Sequence, residues 1–206
     1  MPAAVQQRRR YTWDEYVAIE AAAGDGERYE FWDGEVRPVH GYDDQGKAMA
    51  GAEPEHNQLK GNIEAALRAA LTPRGCRVFS SDQRVAVVDG RYVYPDVVVA
   101  CQPQYDASRP RRLLNPDLVV EVLSPSTGET DMGPKLATYT ALESVREVWV
   151  ADPGRPLVIQ YVRPDDGGDW RMRATTSLDA SLRSDALDLD LPLTDLYALV
   201  LDNSES

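Results

Sequence analysis

Two acidic side chains stand in apolar runs that packing alone would fill with hydrophobic residues. Glu121 interrupts the run "LVVEVL" at 118–123, and Asp96 precedes the valines at 97–99. An ionised carboxylate in a buried strand is costly unless it is paired, hydrogen-bonded or bound to a metal. If the two strands are neighbours, the carboxylates repel each other unless a cation lies between them. Oxygen ligands favour Mg²⁺ or Mn²⁺ over zinc, so we predict such a site at Asp96 and Glu121.

A lysine follows these acids at a spacing that could return it to the same site. Lys135 comes fourteen residues after Glu121, near the start of a helix that we expect to begin between Thr130 and Pro134. Its ammonium could orient an attacking water and stabilise charge developing on a phosphate. A divalent cation lowers the pKa of such a water, so the set suits phosphodiester hydrolysis. The alternative is a surface ion pair with Asp131, four residues earlier.

Helix signals dominate the first third of the chain. Thr12 and Glu15 form a capping box, which predicts a helix over 13–23 that ends at Gly24. A second helix is expected after Pro54, because apolar residues recur there every four positions. These residues are Leu59, Ile63, Leu67 and Leu71. Residues 41–53 between the two helices are polar and glycine-rich, which predicts a loop.

Strand signals occupy the rest of the chain. Asp33-Gly34 and Asp89-Gly90 each separate two β-prone runs, as in hairpins. The run at 118–123, the helix after it and "REVWVAD" at 146–152 predict a βαβ unit with parallel strands. "PLVIQYVR" and "DWRMRATT" suggest antiparallel strands, and "LPLTDLYALVL" a short terminal helix. We therefore predict one α/β domain over 1–206 with a mixed central β-sheet flanked by helices, a core at about 10–195 and frayed termini.

Composition excludes several classes of protein. The 206 residues contain no P-loop, GxGxxG or GxSxG motif, which counts against kinases, Rossmann dehydrogenases and serine esterases. The sequence shows neither a membrane span nor a signal peptide, so we expect no membrane association and a cytoplasmic location. The net charge of −12 counts against a broad nucleic-acid-binding surface. Cys76 and Cys101 form no metal-binding motif, and we interpret them as ordinary small buried residues.

Several segments together resemble the Uma2 family, which is assigned to the PD-(D/E)XK nuclease superfamily. The E-V-L-S-P-S block with a downstream lysine and tyrosine is the most specific part of the resemblance. The matching segments are "RYEFWDGEV" at 28–36, "PEH" at 54–56, "YPD" at 94–96, "VVEVLSPST" at 119–127, "DMGPKLATY" at 131–139 and "REVWVADP" at 146–153. The resemblance covers roughly residues 10–195 and implies a restriction-endonuclease-like core.

The resemblance also implies roles for individual residues. Asp96 and Glu121, helped by the backbone carbonyl of Val122, would hold Mg²⁺ or Mn²⁺, and Lys135 would orient the nucleophilic water. Glu30 matches an additional upstream acid, which we expect at the rim of the site. The superfamily's basic pattern has its lysine two residues after the second acid, but Leu123 stands there in this sequence. Lys135 is then a lysine that has migrated to the next helix.

The implied substrate is nucleic acid, and we expect DNA, although the residues leave DNA and RNA open. A homodimer is expected because nucleases of this superfamily often pair to cut two strands. Two alternatives stay open: a catalytically inactive binding or regulatory protein, and a hydrolase of a small phosphorylated compound. Three further roles are also open. His56 could approach the site, cap its helix or bind a phosphate, Gln83 could support a metal-bound water, and Tyr139 suits packing more than chemistry.

Overall fold

The computed structural model describes residues 9–24, 28–32, 34–38, 53–88, 92–107, 111–124 and 129–201 of the chain. Strands and helices mix along the chain, as in α/β proteins. In chain order the elements are α1 (Trp13–Ala22), β1 (Tyr29–Trp32), β2 (Glu35–Pro38), α2 (Pro54–Leu71), a 3₁₀ turn (Thr72–Arg74), β3 (Cys76–Ser80), β4 (Val85–Ala86), β5 (Tyr92–Val93), β6 (Val97–Cys101), β7 (Leu118–Val122), α3 (Glu129–Thr140), β8 (Glu147–Asp152), β9 (Leu157–Val162), β10 (Arg171–Thr175), β11 (Ser181–Ser184), β12 (Leu189–Pro192) and α4 (Leu193–Leu196).

Six of the described strands form one central sheet, in the order β10–β9–β8–β7–β6–β3. β7 and β8 run parallel, with Leu118 opposite Glu147 and Val122 opposite Ala151. The other neighbouring pairs in this sheet are antiparallel. A parallel pair needs a crossover connection, which α3 supplies, so the predicted βαβ unit is confirmed. The predicted α/β class with a mixed central sheet is confirmed as well.

The middle strands of the central sheet, β6, β7 and β8, are buried on both faces, which explains the nearly continuous apolar sequence of β7. On one face, the predicted stripe of α2 packs against alternate valines of β6 and β7. On the other face, Tyr139 of α3 packs against Val119 of β7. Side chains alternate along a strand, so β7 presents Val119 and Glu121 to α3 and Val120 to α2. Each large apolar side chain buried in this way contributes about 1.5–3 kcal/mol.

Among the described strands, three two-stranded pairs lie outside the central sheet, β1–β2, β4–β5 and β11–β12, and the sequence predicted the first two as hairpins. β1 and β2 pair antiparallel, with Tyr29 opposite Pro38, as the sequence predicts. Gly34 in their turn has φ +85°, a conformation that glycine adopts without steric cost. β4 and β5 also pair antiparallel, whereas their predicted turn at Asp89-Gly90 lies outside the described residues. Residues 41–52 of the predicted loop lie outside them too.

Helix ends differ slightly from the predictions. The capping box is present, with the Glu15 amide donating to Thr12 Oγ1 at 3.2 Å and the Thr12 amide donating to Glu15 Oε2 at 2.8 Å. α1 nevertheless ends at Ala22, two residues before Gly24. The terminal helix is reduced to Leu193–Leu196, because residues 189–192 pair with β11 instead. Strand pairing, which sequence periodicity alone does not reveal, decided that boundary.

The interpretation of the two cysteines as ordinary buried residues is wrong, because they form a disulfide. Antiparallel pairing of β3 with β6 places Cys76 directly opposite Cys101, and their sulfur atoms are bonded. The 25-residue separation gives no local signal of this contact. Disulfides are uncommon in reducing compartments, so the predicted cytoplasmic location stays a prediction. No helix in the described ranges has both the length and the apolar character needed to cross a membrane.

Candidate active site

The candidate site lies where β6 begins and β7 ends. These strands are antiparallel neighbours, with Val97 opposite Val120, so the start of one lies beside the end of the other. Asp96 immediately precedes β6, and its Oδ2 accepts a hydrogen bond from the Val122 amide at 2.8 Å. Asp96 and Glu121 are both buried, with 8% and 5% of their surface exposed. The strand pairing therefore brings the two predicted acids to one edge of the sheet.

Lys135 reaches these acids from α3. Its Nζ lies 3.4 Å from Glu121 Oε1 and 3.3 Å from Glu121 Oε2. The same atom lies 3.3 Å from Glu30 Oε2. α3 is the helix that follows β7 in the βαβ unit, and it carries Lys135 to Glu121 near the end of that strand. The structure thus brings Lys135 to Glu121, whereas the side chain of Asp131, the alternative partner, lies outside the described part of the chain.

Glu30 lies inside this cluster, although we expected it at the rim. It is only 3% exposed, and its Oε1 accepts a hydrogen bond from the Tyr94 amide at 3.1 Å. Tyr94 lies between β5 and Asp96, so this bond joins the β1–β2 hairpin to the start of β6. Phe31, the neighbour of Glu30 on β1, packs on the opposite side into an aromatic cluster with Tyr16 and Tyr92. The hairpin is therefore closed over the site, which buries Glu30.

Tyr139 also belongs to the cluster, which the packing interpretation missed. Its hydroxyl donates to Glu121 Oε1 at 2.5 Å, while its ring remains fully buried in the core. Burial and the charge of Glu121 hold the pKa of this phenol well above its usual range, so it acts as a hydrogen-bond donor. Tyr139 lies four residues after Lys135, and residues with this spacing share one face of a helix. That spacing could have predicted that Tyr139 faces the site.

The remaining candidates divide into one residue that contacts the site and one that does not. His56, in the first turn of α2, places Nε2 at 3.4 Å from Asp96 Oδ2. Gln83 instead donates from Nε2 to the carbonyl oxygens of Arg84 and Arg111, at 2.8 and 3.2 Å. These bonds join two loop segments, so Gln83 has a structural role in its described contacts. The proposed support of a metal-bound water by Gln83 stays a prediction.

Burial and crowding of like charges set the protonation of the acids. Burial, together with the charges of Asp96 and Glu30, raises the pKa of Glu121 to about 7 against the opposing charge of Lys135. Burial also acts to raise the pKa of Asp96, but His56, the Val122 amide and Lys135 outweigh it and lower that pKa. The surrounding carboxylates overcome burial at Lys135 and raise its pKa, so its ammonium is charged. The cluster thus contains one cation among three acids.

Carboxylate oxygens are the donors that Mg²⁺ and Mn²⁺ prefer, so the chemistry of Glu30, Asp96 and Glu121 suits such an ion. Within the described ranges, however, no three His, Cys, Asp or Glu side chains are already grouped as a metal centre. The ammonium of Lys135 lies between Glu30 and Glu121 and partly compensates their charge. The roles of Asp96, Glu121 and the Val122 carbonyl as metal ligands therefore stay predictions.

The raised pKa of Glu121 predicts how the free energy of unfolding depends on pH in the metal-free protein. Between its ordinary pKa of 4.5 and its folded value of about 7, the folded chain holds a proton that the unfolded chain releases. The resulting stabilisation is complete below the lower value and is lost as the pH rises through the upper one. We expect urea unfolding in EDTA to show this decline, and the Glu121→Gln variant to lack it. An identical decline in the variant would assign it to another group.

The family of the chain follows from comparison with known proteins. Residues 13–194 match the Uma2 family, whose description is "Putative restriction endonuclease". The chain belongs to the Uma2 family. The match includes all the residues of the cluster, from Glu30 on β1 to Tyr139 on α3. The resemblance inferred from the sequence motifs is thereby confirmed.

Relatives and a solved structure agree with membership in the Uma2 family. Two uncharacterized proteins of Synechocystis are similar in sequence. One is 31% identical over 154 residues, covering 74% of this chain and 80% of the relative. The other is 32% identical over 146 residues, covering 70% and 76%. A crystal structure from Anabaena variabilis, described as "a putative nuclease belonging to DUF820", matches with a TM-score of 0.67 at 16% identity, covering 91% of this chain and 98% of the other. This match shows that the two proteins share a fold.

Proposed function

We propose that this protein is a metal-dependent nuclease that hydrolyses phosphodiester bonds of nucleic acid, with DNA as the expected substrate. The observation that carries the proposal is the buried convergence of three acids and Lys135 at one edge of the sheet. Membership in a family described as "Putative restriction endonuclease" supports it. Burying an uncompensated carboxylate is costly, so a cluster with more acids than cations suits a cation-binding role better than a purely structural one.

In this proposal, Asp96, Glu121 and the Val122 carbonyl hold Mg²⁺ or Mn²⁺. When bound, the ion polarises a phosphoryl oxygen and lowers the pKa of the attacking water. The ammonium of Lys135 orients that water and stabilises the charge that develops on the phosphate. The attacking water loses a proton to solvent as its oxygen bonds to phosphorus, the ester bond to the leaving oxygen breaks, and that oxygen takes up a proton from solvent. Glu30 contacts Lys135 in addition to Glu121, which limits the positions its ammonium can occupy.

A cleavage assay with matched substrates tests the proposal. The full chain is incubated with supercoiled plasmid and with labelled single- and double-stranded DNA and RNA, in Mg²⁺, Mn²⁺ or EDTA. We expect cleavage with either metal and none in EDTA. A small phosphodiester, bis(p-nitrophenyl) phosphate, is tested beside them. Hydrolysis of that compound without any cleavage of nucleic acid would replace the proposal with a small-molecule phosphodiesterase.

The acidity of the chain favours a second candidate, a binding or regulatory protein that keeps the fold without catalysis. The net charge is −12, and several arginines have acidic partners. Arg68 pairs with Glu64, Arg74 with Asp188, and Arg112 with Asp106. Such pairing leaves less positive charge for phosphates. Retained nucleic-acid or protein binding without metal-dependent cleavage of any substrate would favour this candidate. The homodimer and the cytoplasmic location remain predictions.

A further inference from the structure

His56 is buried beside the cluster but makes a single described polar contact. It lies in the first turn of α2, is 5% exposed, and places Nε2 at 3.4 Å from Asp96 Oδ2. Its other ring nitrogen, Nδ1, is also buried and has no hydrogen-bond partner among the described residues. Among the described residues, the only polar contact of the imidazole is therefore with Asp96.

Structural stability alone does not account for an imidazole at this position. A buried polar atom without a partner costs about 1–3 kcal/mol, and the great majority of buried polar groups are paired. A leucine or methionine side chain would fill similar space on α2 without that cost. Neighbouring buried positions of the helix, Leu59 and Ile63, are indeed apolar. The benefit of histidine must then lie in what Nε2 does for Asp96.

The contacts of Asp96 suggest what that benefit is. The Val122 amide and His56 Nε2 both approach the same oxygen, Oδ2. One contact comes from β7 and the other from α2, so the carboxylate is held from two elements of the fold. Two contacts on one oxygen fix the orientation of the carboxylate, and neither engages Oδ1. A carboxylate held in this way is preorganised to offer its other oxygen to a ligand.

We propose that His56 is a positioning residue that holds Oδ2 of Asp96 and so orients Oδ1 toward a divalent cation. This inference rests on the proposed function, because it assigns Asp96 the role of metal ligand. Residues that orient a metal ligand typically change metal affinity by about 10–100-fold when they are replaced. His56 would therefore set how tightly the site binds its metal without binding the metal itself.

The test is isothermal titration of Mn²⁺ into the full chain without nucleic acid. We expect His56→Leu to weaken Mn²⁺ binding by about 10-fold or more, since the donor to Oδ2 is lost. His56→Gln keeps an amide N–H at similar reach and should bind within about threefold of the wild type, whereas the shorter His56→Asn should bind more weakly. Gln58→Leu, an exposed position on the same helix, is the matched control and should leave binding unchanged. Circular dichroism and thermal unfolding establish that each variant is folded.

Each outcome bears on a different claim. Wild-type Mn²⁺ affinity in His56→Leu overturns the inference and leaves the proposed function intact. If His56→Leu does not fold, the comparison of His56→Gln with His56→Asn decides. Equal Mn²⁺ affinities of these two variants would overturn the inference about His56. Absence of Mn²⁺ binding in the wild type overturns the metal-dependent function and the role of His56 with it. Weaker binding in His56→Leu, restored in His56→Gln, supports a positioning role that a merely structural histidine would not show.

Discussion

We expect replacement of Asp96 by Asn, or of Glu121 by Gln, to lower the proposed metal-dependent cleavage of DNA by roughly 10³-fold or more. Each substitution removes one anionic oxygen donor while keeping the size and shape of the side chain. Both positions are nine-tenths or more buried, so no solvent-exposed neighbour can take over as ligand. The loss appears in the initial rate of plasmid cleavage at saturating Mn²⁺, and the affinity for Mn²⁺ falls in parallel.

Two exposed acids serve as matched controls for these substitutions. Asp195→Asn and Glu143→Gln change the same chemical groups outside the cluster and should keep the wild-type rate. Thermal unfolding without metal separates loss of catalysis from loss of the fold. Wild-type cleavage in either site variant would remove that acid from the proposed metal site. Wild-type cleavage in both would leave the cluster with a structural role.

We expect replacement of Lys135 by Met to produce a different pattern, in which cleavage falls while metal binding is kept. The ammonium contacts Glu30 and Glu121 at 3.3 Å and lies where it could stabilise charge on a bound phosphate. Removing a single such group from an active site typically costs roughly 10²–10³-fold in rate. Methionine keeps the length of the side chain and removes a positive charge that competes with the metal for the same acids. Affinity for Mn²⁺ is therefore expected to stay equal or to rise.

The two measurements together separate a catalytic lysine from a structural one. Arg68→Met removes an exposed cation paired with Glu64 and should change neither rate nor affinity. Loss of Mn²⁺ binding in Lys135→Met, in parallel with the rate, would mean that the lysine organises the acids rather than the reaction. A wild-type rate would show that the water is oriented by another group. Unfolding in urea should show lower stability for this variant, because buried acids lose their cation.

Much of the architecture could be predicted because it follows from local patterns. The four-residue spacing of apolar side chains identified α2, and the capping box located the start of α1. The order of strand, helix and strand around Glu121 predicted the parallel pairing of β7 with β8, since such connections need a crossover. Glu121 could be predicted as a site residue, because an ionised carboxylate in a buried strand is costly unless it is paired or bound to a cation.

Features that depend on contacts between distant segments could not be predicted in the same way. The bond between Cys76 and Cys101 follows from the register of β3 with β6, to which no local pattern points. The burial of Glu30 follows from the hairpin closing over Tyr94, and the contact of His56 with Asp96 follows from the placement of α2 against β6. Tyr139 shows most clearly what local patterns cannot predict, because its ring packs in the core while its hydroxyl contacts the site.

The sequence by itself determined which residue types were available for chemistry, which strands and helices carry them, and the family to which the chain belongs. Tertiary structure decided that Glu30, Asp96, Glu121 and Lys135 meet, that His56 and Tyr139 join them, and that Gln83 does not. The physical reason is that periodicity and capping act over a few neighbouring residues. Burial, strand register and the pKa of Glu121 depend instead on groups that only folding brings within hydrogen-bonding distance.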